Sequence, residues 1–128
     1  MNTADVYRIA ALLELADAYP GARTVREIAR RRGIPLPFLS RLLGELARAG
    51  LVATARGPKG GARLARGPED VTLATVLAGE ARQQGGGAAV RWLAGRIGAV
   101  RDDLLRAMTL ADLLRVEREA ASAVGYEI

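Results

Sequence analysis

The chain contains no cysteine and no histidine among its 128 residues. The first absence excludes disulfides, thiolate nucleophiles and zinc or iron–sulphur sites built on cysteine. The second removes the usual general base of neutral-pH catalysis. Carboxylates, one lysine, three tyrosines and a few hydroxyls remain, so the chain is poorly equipped as an enzyme. No apolar run approaches the roughly 18 residues of a membrane span. The amino terminus has no basic stretch, and Glu14 closes the apolar residues 9–13 at once. The expectation is a cytoplasmic protein with no membrane partner.

What is present suits one domain, or one domain with an appended arm. Half the residues are apolar and 26% are charged, enough to build a core. The charge is unevenly placed. Residues 1–66 carry 12 Lys+Arg against 5 Asp+Glu, a net of +7, while residues 67–128 carry 7 against 9, a net of −2. Arginine supplies 18 of the 19 cations, a bias that a GC-rich or thermophilic source also produces. The uneven distribution, and not the arginine content, points to a polyanion-binding half beside a neutral half with another task.

Helical spacing of Val6, Ile9, Ala10, Leu13 and Ala16 predicts a helix over 4–18, ended by Pro20-Gly21. Thr24 and Glu27 have the spacing of a capping box, which opens a short second helix with Val25, Ile28 and Ala29 inward and Gly33 as its stop. A third helix is expected over 37–49, with Leu39, Leu42, Leu43 and Leu46 as its apolar stripe. Its opposite face carries Pro37, Ser40, Arg41, Gly44 and Arg48. Short extended runs at 51–55 and 62–65 flank Arg56-Gly57-Pro58-Lys59-Gly60-Gly61 and read as a hairpin. This order is that of a winged helix–turn–helix.

Beyond Gly67-Pro68 the pattern predicts a helix over 71–79 with Thr72 as its cap, and a flexible linker at 81–87. Val90, Leu93, Ile97, Val100 and Leu104 are spaced 3, 4, 3 and 4 along a helix over 88–108. That is a heptad seam suited to a second helix, or the inner face of an ordinary amphipathic helix. Gly95 and Gly98 weaken this helix slightly or permit close approach. Thr109 and Asp112 repeat the capping logic for a last helix to about residue 121.

Arginine on a groove-sized helix can donate two hydrogen bonds to guanine, and serine is an adaptable partner. Glycines in the hairpin let backbone approach phosphates, with Arg56, Lys59, Arg63 and Arg66 adding charge. A nucleotide-binding phosphate loop would need Gly-x-x-x-x-Gly-Lys-Ser/Thr, which the segment does not match. Asp102-Asp103 and Glu117/Glu119 read as solvent-facing salt-bridge partners rather than a metal or acid–base site. Trp92 reads as an interface or core residue.

The run from Thr24-Val25-Arg26-Glu27-Ile28-Ala29 through Phe38-Leu39, Leu42-Leu43 and Ala49-Gly50-Leu51-Val52 to the Arg-Gly-Pro-Lys-Gly-Gly loop resembles the Rrf2 family of IscR-like bacterial winged-helix regulators. Val71-Thr72-Leu73, Trp92 and Thr109-Leu110-Ala111-Asp112-Leu113 extend the resemblance over nearly the whole chain. It implies a homodimer joined by a long carboxy-terminal helix that crosses the partner, a third helix in the major groove, and Arg56 in the minor groove. Many members hold an iron–sulphur cluster on three cysteines before the dimerisation helix. Here that region reads Arg82-Gln83-Gln84-Gly85-Gly86-Gly87, so the cluster does not carry over. Ser40-Arg41 replaces the family's usual Glu-Gln pair and Ala62 its usual tyrosine, which implies a different operator.

The expected fold is mainly α with a small β-hairpin: a winged helix–turn–helix over 1–80, the linker 81–87, and a dimerisation helix with a carboxy-terminal helix over 88–128. The expected function is a dimeric, sequence-specific transcription regulator, a repressor on a palindromic double-stranded operator, with no cofactor or metal. The expected DNA contacts are Thr24, Arg26, Pro37, Ser40, Arg41, Gly44 and Arg48 in the helices. In the wing they are Arg56, Gly57, Pro58, Lys59, Gly60, Gly61 and Arg63. Val90, Leu93, Ile97, Val100 and Leu104 form the expected dimer seam. The alternatives are a nonspecific nucleic-acid-binding winged helix and a protein-interaction module that has lost DNA binding. Operator, regulated genes and effector are not written in the sequence.

Overall fold

The computed structural model of the chain describes residues 1–56, 60–77 and 85–126, with side chains to Ala123. Six helices and three short strands follow in the order α1 (Thr3–Ala18), β1 (Arg23–Thr24), α2 (Val25–Arg32), α3 (Leu36–Arg48), β2 (Val52–Thr54), β3 (Gly61–Leu64), α4 (Leu73–Val76), α5 (Gly87–Ala107) and α6 (Leu110–Tyr126). A single 3-10 turn, Pro68–Asp70, precedes α4.

Helix α1 is the hub. Six successive residues, Ala11 to Ala16, are buried, so the helix is surrounded rather than laid on a surface. The stripe expected from the spacing therefore needs correcting. Val6 is exposed, whereas Leu12 and Leu15 are fully buried. Asn2 caps the helix in a reciprocal box with Asp5. Around α1 pack α2, α3, the sheet and α6, with Ile28, Leu39, Leu51, Val71 and Leu110 all buried in one continuous core.

The sheet order is β1-β3-β2, antiparallel throughout. The expected hairpin is β2 and β3; β1, only two residues long, adds a third strand that no periodicity announces. Thr24 ends β1 and caps α2, accepting from the Glu27 amide at 3.1 Å. The return bond from the Glu27 carboxylate is not formed, so only half of the expected box exists. Gly33 closes α2 at φ +64°, a left-handed turn that glycine adopts without strain. Pro35 and Pro37 then fix the start of α3.

Helix α4 is one turn, capped by Thr72 as expected but ended at Leu77, so it is shorter than the helix expected over 71–79; positions 78–79 of that helix and 81–84 of the linker lie outside the described residues. Gly85, Gly86 and Gly87 all have positive φ and lead into α5. Residues 71–73 are tied to the corner between the last two helices, by Leu110 N–H to the Val71 carbonyl at 3.0 Å and Leu73 N–H to the Met108 carbonyl at 2.9 Å. Thr109 and Asp112 form the reciprocal cap that opens α6, which runs past residue 121 to Tyr126. The Thr109 backbone N–H holds the Asp112 carboxyl below its ordinary range.

One further correction concerns Glu117. It is a salt-bridge partner as expected, but half-buried and paired across the fold, gripping Arg32 of α2 with both oxygens at 2.6 and 2.7 Å. Arg32 also donates from Nε to the buried Glu14 at 2.8 Å. Hydrogen bonding to Glu117 holds the Arg32 guanidinium above its ordinary pKa, and Arg32 in turn holds the Glu117 carboxyl below its own. A carboxyl depressed on folding stabilises above its unfolded pKa, and that contribution is lost as pH falls through the folded value. Glu117→Gln should therefore cost about 1 kcal/mol at pH 7, a figure reduced for the partial exposure of the pair. Melting curves should show the difference between the two proteins shrinking below about pH 4. A difference that stays constant down to pH 2 would separate Glu117 from this pair.

Candidate nucleic-acid interface

Helix α3 turns Leu39, Leu42, Leu43 and Leu46 into the core. Pro37, Ser40, Arg41 and Arg48 are thereby exposed and Gly44 half-buried. This is the face that the 100° spacing placed outward. A Cβ built on Gly44 meets no neighbour closer than Arg48 Nη1, at 3.7 Å. Nothing within the fold requires glycine there, and the Arg48 guanidinium lies back toward the gap. Arg41 sits over the Phe38 ring, 5.5 Å from its centroid, and Phe38 meets Tyr7 of α1 edge-on at 5.3 Å.

Arg26 is exposed on α2. So is Arg30 one turn on, a residue that no sequence motif singles out. The run Arg30-Arg31-Arg32 looks uniform in sequence, but its members part in space. Arg32 and Arg31 reach Glu14, at 2.8 and 3.5 Å, while Arg30 faces outward. The position of Glu14 inside α1 sorts them, and no local pattern carries that information. Thr24 is half-buried with its hydroxyl engaged in the cap.

In the hairpin, Arg56 and Arg63 are exposed and Gly60 is half-buried. Gly57, Pro58 and Lys59 lie outside the described residues. Gly61 is buried, and a Cβ there would stand 2.2 Å from the Arg23 carbonyl oxygen. Its missing side chain is thus required by the β1–β3 approach. The face of α3, the outer side of α2 and the hairpin arginines together offer cations spaced along exposed backbone, the chemistry that phosphate-lined grooves attract.

The seam residues Val90, Leu93, Ile97, Val100 and Leu104 are all between 42% and 72% exposed. No residue of α5 is buried. Among the described residues, helix α5 meets its own chain on a different side, where Leu105 packs on the core and Arg101 donates to the Leu77 carbonyl at 3.2 Å. The amphipathic-helix alternative, with the seam turned inward, is therefore not what the fold adopts. Trp92 is exposed too, with Arg96 over its ring at 5.6 Å, so it is no core residue of this chain.

A family model described as Rrf2, iron-dependent transcriptional regulator, matches residues 1–116. The chain belongs to the Rrf2 family. The IscR regulator of Aliivibrio salmonicida is 39% identical to it over 72 residues, 56% of this chain and 43% of that protein. The chain spans about half the length of the curated relatives it matches. Among solved structures, IscR of T. potens superposes with a TM-score of 0.81 at 30% identity, over 94% of this chain and 89% of that one. CymR, the global cysteine regulator of B. subtilis, superposes at 0.74 and 26% identity, over 91% and 96%. Rrf2 proteins are transcriptional regulators, and the winged helix with a small three-stranded sheet is their fold.

The iron in that family description is not matched by donors in this Rrf2 chain. It has neither cysteine nor histidine, and no three acidic residues gather among the described residues in a way that could hold a metal ion. The residues present do not fit a cluster. Among the described residues no helix is long and apolar enough to cross a membrane.

The interface geometry makes one residue diagnostic. Gly44→Ala should stabilise the isolated protein by up to about 1 kcal/mol, since alanine is the better helix former and its methyl meets only an ordinary contact with Arg48. The same methyl should weaken DNA binding several-fold if α3 enters a groove. Denaturant melts and a binding titration, run side by side, read both signs; a variant that binds as tightly as the parent would remove Gly44 from the interface.

Proposed function

We propose that this Rrf2 chain is a homodimeric, sequence-specific DNA-binding regulator that represses transcription from a palindromic operator and works without an iron–sulphur cluster. The observation that carries the reading is the exposed Ser40–Arg41–Gly44–Arg48 face of α3, flanked by the outward arginines of α2 and the hairpin. Residues 1–80 are the reading unit, residues 88–128 the assembling unit, and 81–87 the linker. Arg41 and Ser40 contact base edges, Arg26 and Lys59 contact phosphates, and Arg56 enters the minor groove. The apolar seam of α5 supports pairing with the same helix of a second copy, because it is uncovered in its own chain and has heptad spacing. Two α3 helices related by a two-fold axis require half-sites about one helical turn apart.

Binding should separate the roles. Arg41→Ala should cost roughly 1–3 kcal/mol and relax preference at one base pair per half-site. Lys59→Ala should weaken all sequences alike. It should reduce the salt slope by about one for each phosphate no longer neutralised, so by about two for a dimer. The protein made anaerobically with iron and sulphide should be colourless and bind the same operator as protein made without them. A reporter behind that operator should rise when the gene is deleted. Equal affinity for promoter and scrambled DNA at fixed salt would replace this reading with nonspecific binding.

The assembly is tested separately. Sedimentation at micromolar concentration should give a dimer, and Ile97→Asp with Leu104→Asp should give a folded monomer, since each aspartate would bury an unpaired charge. A monomer from the unaltered chain would end the proposal of a dimer.

A further inference from the structure

We propose that Phe38 is a positioning residue for base recognition, whose ring, braced by Tyr7, sets the Arg41 guanidinium in place before DNA arrives. The inference rests on the reading of α3 given above. Phe38 and Tyr7 are both half-buried and packed against the core, and their rings meet at 73°. The platform under Arg41 is therefore a residue of α3 itself, held from outside that helix by Tyr7 of α1 and the core.

A second observation points the same way. Glu45 stands four residues after Arg41, the spacing at which a helix pairs opposite charges. Its Oε2 instead faces Arg8 of α1 at 3.8 Å, and Arg8 is itself anchored by Asp5 at 3.0 Å. One helix thus supplies both the brace for Arg41's platform and the cation that faces its competing carboxylate. Among the described residues, the Phe38 ring is Arg41's side-chain partner.

The arrangement suits recognition for two reasons. An aromatic face attracts the cation through its quadrupole and leaves the N–H edges unbonded. Those edges are what a bidentate contact to guanine O6 and N7 uses. A long side chain ordered before binding also loses less freedom on binding.

The test compares the full chain with Phe38→Leu, Phe38→Tyr, Arg41→Ala and the double variant Phe38→Leu/Arg41→Ala. Each is checked for folding by circular dichroism and then titrated at fixed salt against operators changed one base pair at a time. Phe38→Leu should lower preference at the Arg41-dependent base pair about two- to five-fold, with other positions and the salt slope unchanged. Phe38→Tyr should keep the preference, and Phe38→Leu should add nothing once Arg41 is alanine. A uniform loss at every base pair would make Phe38 a packing residue only. Tighter binding by Phe38→Leu would show that the ring withholds Arg41 from DNA. Either result overturns the inference while leaving the reading of α3 intact, whereas an Arg41→Ala variant with unchanged preference overturns both.

Discussion

A carboxylate in the middle of a surrounded helix has to be met by cations, and that requirement at Glu14 organises the amino-terminal half of the molecule. Arg32, at the end of α2, takes one oxygen at 2.8 Å; Arg31 and Arg23 approach the other at 3.5 and 3.7 Å. At the longer distances the attraction is between charges, since Glu14 Oε2 and Arg23 Nε form no hydrogen bond. Arg23 begins β1, whose backbone lies against Gly61 of β3, and Arg32 is followed directly by the turn into α3. The angle of the helix–turn–helix and the seating of the hairpin are thus referred to one side chain of α1. Arg32 carries the constraint onward to Glu117, and Arg118 joins Asp17 of α1 at 3.1 Å, so α6 is fastened to the same frame.

This network also refines the meaning of the basic half. Its net charge does not translate evenly into surface potential. Arg8, Arg23, Arg31 and Arg32 face carboxylates of their own domain. The arginines of this half left without a carboxylate partner among the described residues are Arg26, Arg30, Arg41, Arg48, Arg56, Arg63 and Arg66. They sit on α2, on α3 and on or beside the hairpin. Internal pairing removes some arginines from the count and concentrates the remainder where a helix and a wing project together.

The elements legible in the sequence are those with a local physical signature. The α3 stripe, the Thr72 and Thr109 caps, the Gly33 stop and the paired strands around the Arg-Gly-Pro-Lys-Gly-Gly loop all follow from spacing or from residues with fixed backbone demands. Strand β1 escapes because two residues carry no period; it exists only through pairing with β3. Spacing finds part of the α1 core, Ile9, Ala10, Leu13 and Ala16, but wrongly includes Val6 and misses Leu12 and Leu15, because a central helix is apolar on several sides and a single amphipathic face is too narrow a template for it. Glu117 reads as a surface charge because its partner, Arg32, is 85 residues away. Arg41 is found by its helical angle and Phe38 lies three residues before it on the same helix, whereas the brace from Tyr7 comes from another helix and has no sequence signature. Gly61 falls into the wing with its neighbours, and only the nearby Arg23 carbonyl shows that the fold itself requires it.

Helix α5 is 21 residues long and buries none of them in its own chain. Most of the stability of a helix in a protein comes from packing, and α5 draws little of it from its own chain. In the proposed dimer its order would be set by how much of the protein is present, because a partner that binds the folded form stabilises it by mass action. In the homodimer proposed above, the docking of one α3 would hold the other at a high effective concentration beside the DNA. Occupancy would then rise more steeply than abundance, and a modest change in synthesis or turnover would become a large change in how long the site stays covered.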